Sequence, residues 1–206
     1  YPNPNAKSVT LFLKRGAPGA GILQLNTTKK KITETLIDDY TVDGASLARE
    51  KNSKNRLLYL SPVLKEDIHL SGVSKIKINL ASSKKAANLS VWLVSLPWNT
   101  NWNAKITDNI ITRGWADIQN YESLTESNPL TPGKFYSLSF DLQPDDQIVQ
   151  KGQQIGLLIF SSDQEFTLHP EPGTKLTVNL QKTSLEIPVV GGVDTFERAT
   201  NQKFKK

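Results

Sequence analysis

The chain has 206 residues, with 25 basic and 20 acidic side chains for a formal net charge of +5, and neither cysteine nor methionine. That length suits one large domain able to bury a real core. The absence of cysteine excludes a disulfide framework or thiolate metal site, and no apolar run approaches the roughly 18 residues that span a bilayer.

The opening Tyr1-Pro2-Asn3-Pro4 is a Pro-spaced, extended run that reads as a linker. It is neither a translation start nor a signal peptide, and predicts a domain cut from a longer polypeptide. Residues 9–14 form a strand, and residues 21–25 its partner across the turn Gly16-Ala17-Pro18-Gly19. Residues 45–51 predict a short helix capped by Asp43. An exposed loop over 52–55 leads into a strand over 56–60. The first 55 residues are the least defined part, a linker plus first strands.

From there the pattern is strand after strand. Residues 75–80 alternate, with Ile76, Ile78 and Leu80 inward and the lysines outward. Residues 91–96 and 155–160 are apolar on both faces, as central strands covered on both sides are. Over 135–142, Tyr136, Leu138, Phe140 and Leu142 share one face; over 175–180, Leu176, Val178 and Leu180 do. Turn signals separate the strands at Ser71-Gly72, Pro132-Gly133, Lys151-Gly152 and Pro172-Gly173. Many short strands so separated make an all-β sandwich, one domain over 1–192. The polar tail 193–206 is expected to be poorly ordered.

Chemistry is scarce. The nearest match to a nucleophile elbow is Gly44-Ala45-Ser46-Leu47-Ala48, with Ala in place of the second glycine and an acidic segment where a buried strand should lead in. Ser46 therefore reads as a helix start. His69 reads as a half-exposed strand residue and His169 as a loop residue, neither with a metal-spaced partner. The pairs Asp38-Asp39 and Asp145-Asp146 lack the spaced carboxylates and glycine of a calcium loop and read as surface solvation. Gly16, Gly19 and Gly21 do not form a dinucleotide fingerprint. No catalytic, cofactor-binding or metal-binding residue is assigned. The basic runs Lys29-Lys30-Lys31, Lys84-Lys85 and Lys203-Phe204-Lys205-Lys206 lack interleaved aromatics, which argues against nucleic acid as a partner. They read as solvated loop and tail charges, and the positive balance could also help dock an acidic partner domain. Trp98 and Trp102, in a polar loop after the strand 91–96, and Trp115 beyond it could stack on sugars or anchor a protein interface.

Several blocks follow one another in a set order: Arg113-Gly114-Trp115-Ala116-Asp117, then Pro132-Gly133, the strand 134–144, Lys151-Gly152 with 153–159, and Ile187-Pro188-Val189-Val190-Gly191-Gly192. Together they resemble the C-terminal, non-catalytic β-domain of the bacterial Xaa-Pro dipeptidyl-peptidases, relatives of the cocaine-esterase-type serine hydrolases, over about residues 57–192. The resemblance implies a jelly roll of the galactose-binding-like type in a cytoplasmic, homodimeric enzyme. It also implies that the catalytic Ser, Asp and His belong to an α/β-hydrolase domain outside these residues, so none is carried over and the chain alone is expected to be inert. In such enzymes the Arg113-Gly114-Trp115 block would turn the chain sharply. Gly114 would allow a close backbone approach, and Arg113 would pair with a carboxylate such as Asp117 or one on the neighbouring domain. Trp98, Trp102, Arg113, Gly114, Trp115 and Asp117 are thus the candidate interdomain or ligand contacts. The competing readings are a carbohydrate-binding module and a complete esterase; the second lacks a nucleophile elbow.

Overall fold

The alternation of residues 75–80 becomes the pleat of β6 (Lys75–Ser82). Ile76, Ile78 and Leu80 are buried, while Lys75 and Lys77 reach Asp141 and Glu186 at 3.2 and 2.6 Å. The computed structural model describes residues 1–204 apart from 28, 29, 100, 102, 104, 106, 107, 124 and 170–172. One edge of β6 pairs with β9 (Phe135–Asp141), which places Leu138 opposite Ile78. Its other edge is shared between β13 (Ser184–Val190) and β12 (Lys175–Asn179), and β12 continues to β3 (Thr33–Ile37).

The path then bends over. β1 (Ala6–Lys14) runs antiparallel to β13 and joins β2 (Ala20–Gln24), the partner expected across the 16–19 turn. β2 lies parallel to β4 (Arg56–Leu60), followed by antiparallel β11 (Gln154–Phe160), β7 (Asn88–Leu96) and β8 (Ile110–Asp117). β5 (Ile68–Gly72) attaches to β13 and carries β10 (Asp145–Val149). The inner faces of β4, β11 and β7, with Tyr59, Leu157 and Leu93, share one core with Ile78, Val178 and Ile187 from β6, β12 and β13. The all-β class expected is the class formed. Among the described residues no helix is long and apolar enough to cross a membrane.

The two runs apolar on both faces are the adjacent central strands β7 and β11, and their outer face needs a cover. The cover is α1 (Gly44–Arg49), capped by Asp43, whose carboxylate accepts from the Ser46 N–H and hydroxyl at 2.8 and 2.7 Å. Leu47 and Ala48 pack on Leu58, Leu158, Trp92, Val94 and Phe160 as a second core. Gly44 is required there, since a Cβ would stand 2.4 Å from the Trp92 ring.

The tail departs from expectation. Residues 192–200 form α2 (Gly192–Thr200), with Phe196 and Ala199 fully buried in the main core. The Gln202 amide then accepts from the Leu25 N–H and donates to the Leu23 carbonyl, at 2.8 and 2.9 Å. Phe196, Ala199 and Thr200 lie three and four residues apart, so one buried stripe suffices in a segment whose composition is polar.

The 15–19 turn is fixed from the core. Glu34 accepts from the Gly16 and Ala17 N–H groups, both at 2.8 Å, and from the Tyr59 hydroxyl at 2.6 Å. Burial, seconded by the Glu34 charge, holds the Tyr59 phenol well above its ordinary range. The folded chain therefore keeps this proton more tightly than the unfolded chain. The stability linked to it is complete below about pH 10 and is lost as pH rises further. Tyr59→Phe should cost about 1–3 kcal/mol at neutral pH, because Glu34 loses a donor, yet fall less steeply above about pH 10. Urea midpoints at neutral and alkaline pH check this; equal alkaline losses in both proteins would contradict it.

Candidate functional site

Strand register assembles the site on the outer face of the β4–β11–β7–β8 layer. Leu58, Leu158, Trp92 and Arg113 lie opposite one another across these strands, and Phe160, Ser90 and Trp115 form the next row. Arg113 and Trp115 are two residues apart on β8 and so share this face. Beyond the end of β11 the chain returns over them. Both indole N–H groups, of Trp92 and Trp115, donate to the same oxygen of Asp163 (Oδ2), each at 3.0 Å. A tight turn follows, in which the Phe166 and Thr167 N–H groups donate to the Asp163 carbonyl at 3.1 and 3.0 Å.

Phe166 stacks on Trp115, with ring centroids 5.2 Å apart at 27°. The Arg113 guanidinium carbon lies 4.6 Å from the Trp92 ring centroid and 4.9 Å from that of Phe166. This places the cation between two aromatic faces. Burial pushes the Asp163 carboxyl up, opposed by the two indole donors and then by the Arg113 charge. The Arg113 Nε is buried without a hydrogen-bond partner. Neither Asp163 nor Phe166 was marked by the sequence, because a polar loop after a strand gives no sign of what it covers.

The candidate contacts separate. Arg113-Gly114-Trp115 lies within β8, not at a sharp turn. Gly114 points inward, where a Cβ would be 2.4 Å from Leu142 Cδ2 and 3.2 Å from its Cα, so the expected close approach is made within this chain. Asp117 does not pair with Arg113. It caps the short turn 118–120, accepting from the Gln119 N–H at 3.2 Å and the Asn120 amide at 2.7 Å. Trp98 packs against the outer cluster that holds Ile110 at the start of β8, and Ile110 lies five residues, or roughly 16 Å along the strand, from Trp115. Trp98 borders a groove of about 580 Å³ with Ala48, Leu58, Leu60, Leu96 and Pro97. Trp102 lies outside the described residues. Trp98 and Trp115 therefore do not form a common sugar platform.

The polar groups weighed for catalysis are otherwise engaged. Ser46 completes the α1 cap. His69 Nε2 lies 2.5 Å from Asp146 Oδ1, and the Ser71 hydroxyl donates to Asp146 Oδ2 at 2.9 Å. Here the carboxylate stands between serine and histidine, whereas nucleophile activation needs the imidazole between them. The His169 ring stacks on Tyr40 with centroids 4.6 Å apart. Asp38, read as solvated, is instead buried and accepts from the Ser162 N–H and hydroxyl at 2.8 and 2.9 Å. Among the described residues no three His, Cys, Asp or Glu side chains gather closely enough to hold a metal ion.

Comparison with known proteins gives a consistent picture. A family model described as the X-Pro dipeptidyl-peptidase C-terminal non-catalytic domain matches residues 1–203. The chain is 58% identical over 197 residues to a Rhodopirellula baltica protein named "Putative Xaa-Pro dipeptidyl-peptidase", covering 96% of this chain and 32% of that protein. A Bacillus anthracis protein of the same name is 35% identical, covering 91% of this chain and 30% of its own length. The chain thus spans about a third of the length of these relatives. Among solved structures, an aminopeptidase from a marine sediment Thaumarchaeota archaeon superposes with a TM-score of 0.72 at 14% identity, over 92% of this chain and 38% of that one. A CocE/NonD family hydrolase from Staphylococcus aureus gives 0.66 at 14% identity, over 92% and 37%. At such identities the likeness is one of fold.

Proposed function

The chain belongs to the family of X-Pro dipeptidyl-peptidase C-terminal non-catalytic domains, and on that premise we propose that it is the accessory β domain of a serine exopeptidase. The whole enzyme would release Xaa-Pro dipeptides from peptide N-termini. This domain docks on an α/β-hydrolase domain of the same polypeptide and walls part of the substrate entrance, which favours short peptides. A jelly roll of the galactose-binding-like type, a homodimeric enzyme and a cytoplasmic setting complete the proposal.

The observation that carries it is the way the outer face is built. Trp92 is buried, and Trp115 is held by Asp163 with one face taken by Phe166, so Trp92 is closed to a sugar ring and Trp115 keeps at most one face for it. The same face carries the exposed Phe166 and Leu168 and the cationic Arg113, a mixture common at protein interfaces.

The chain alone is expected to leave Gly-Pro and Ala-Pro chromogenic substrates intact and to show no millimolar affinity for a panel of common sugars by calorimetry. In the full polypeptide, Trp98→Ala should alter peptidase kinetics or thermal stability, since a tryptophan buried by docking is worth about 2 kcal/mol or more. Sugar binding lost in Trp98→Ala with unchanged peptidase rates would instead support a carbohydrate-binding module. Turnover by the chain alone that vanishes in Ser46→Ala would overturn the accessory role.

A further inference from the structure

We infer that the Arg113 guanidinium, clamped between the Trp92 and Phe166 rings, is the receptor for an Asp or Glu side chain of the catalytic part of the same polypeptide, with Phe166 and Leu168 as its apolar rim. The inference rests on the docking reading above and names where and how that docking occurs. Its first support is an unfilled hydrogen-bonding capacity. Arg113 offers five N–H donors in a rigid fork. Its Nε is buried and unpaired, and among the described residues the guanidinium forms neither a hydrogen bond nor an ion pair within 4.0 Å, only the two ring contacts.

The two carboxylates of this chain weighed as partners form no ion pair with Arg113, although the Asp163 charge acts on it at longer range. Asp163 Oδ2 is shared by two indoles, and both oxygens of Asp117 are used by its cap. A half-buried cation with a carboxylate nearby but none hydrogen-bonded to it is incompletely compensated. One that gains a forked, bidentate partner is among the stronger recognition elements available to a protein.

The second support is rigidity. Arg113 is fixed on a strand, with a ring on either side, and its backbone carbonyl accepts from the Gln143 N–H at 2.7 Å. Little side-chain freedom is left to lose when a carboxylate arrives. The third is the surround. Phe166 is 49% exposed and Leu168 89% exposed on the segment that forms one side of the clamp. That segment is tied down by the Asn88 amide, which donates to the Leu168 carbonyl. The charge of the receptor selects an acidic side chain. The occupant is placed in the same polypeptide because this chain spans only about a third of its relatives, and a tethered partner acts at a high effective concentration.

The test uses Arg113→Lys in the full polypeptide with a zero-length carbodiimide, which joins an amine to a carboxylate only when the two are in contact. The expected result is a cross-link from position 113 to an Asp or Glu outside residues 1–206, within one polypeptide, located by mass spectrometry and absent in Arg113→Gln. Coupling to Asp163 or Asp117 would overturn the proposal, as would coupling to a second copy. Cross-links from other lysines of this chain to the catalytic part, with none from position 113, would sink this site and leave the docking reading standing. No cross-link between the two parts would sink both. Should Arg113→Lys fail to fold, phenylglyoxal labelling of the unaltered protein decides. Arg113 should react more slowly in the full polypeptide than in this chain alone, and equal rates would overturn the contact.

Discussion

Arg56→Met is expected to destabilise the chain by about 3–5 kcal/mol, measured as a shift in urea or guanidinium unfolding. Arg56 is 1% exposed and binds backbone carbonyls in place of a carboxylate. Nε donates to Leu47 at 3.2 Å, Nη1 to Gly19 at 2.8 Å and Pro18 at 3.3 Å, and Nη2 to Glu50 at 2.6 Å. Burial lowers its pKa, with the Glu50 charge opposing. One side chain thus ties the 16–19 turn to the end of α1 and holds the helix over the outer core. Met fills much of the stem volume but satisfies none of those oxygens, each of which costs about 1–3 kcal/mol when stranded. Arg56→Lys should fall between the two, since an ammonium reaches fewer of the carbonyls. A cost below about 1 kcal/mol for Met would mean that water reaches these groups and that the clamp contributes little.

Phe196→Ala should cost about 3–5 kcal/mol, the usual range for removing a fully buried aromatic ring. The ring is the main anchor of α2, and its neighbour Ala199 is too small to hold the helix alone. Release of α2 should also free Gln202 from the Leu23 and Leu25 backbone. Hydrogen exchange should therefore accelerate over residues 192–200 and at Leu25 together. Unchanged stability would place α2 outside the cooperative core.

What the sequence made legible is what is local. The lysine–isoleucine alternation of β6, the doubly apolar runs of β7 and β11 and the Asp43 cap of α1 each depend on neighbours within a few residues. What it hid depends on distant partners. Asp163 is 71 residues from Trp92 and 48 from Trp115, and periodicity can assign a side chain to a face without saying which loop arrives over it. Arg56 opens a strand as many exposed arginines do, and the carbonyls of Leu47, Pro18, Gly19 and Glu50 make it internal. The sequence proximity of Trp98 and Trp115 misled, because Trp98 packs beside the start of β8 while Trp115 lies near its end. β10 was missed because its opening Asp145-Asp146 resembles a solvated loop more than a strand.

One carboxylate oxygen serving two indoles has a consequence for how this surface can vary. Lose Asp163 and two indole N–H groups, one buried and one partly so, are left without this acceptor. Lose either tryptophan and the remaining one no longer accounts for the expense of keeping a carboxylate out of water. Substitutions at positions 92, 115 and 163 should therefore be strongly epistatic, with the effect of each depending on the other two. Across a lineage the three side chains are expected to behave as one heritable unit, replaced together or retained together.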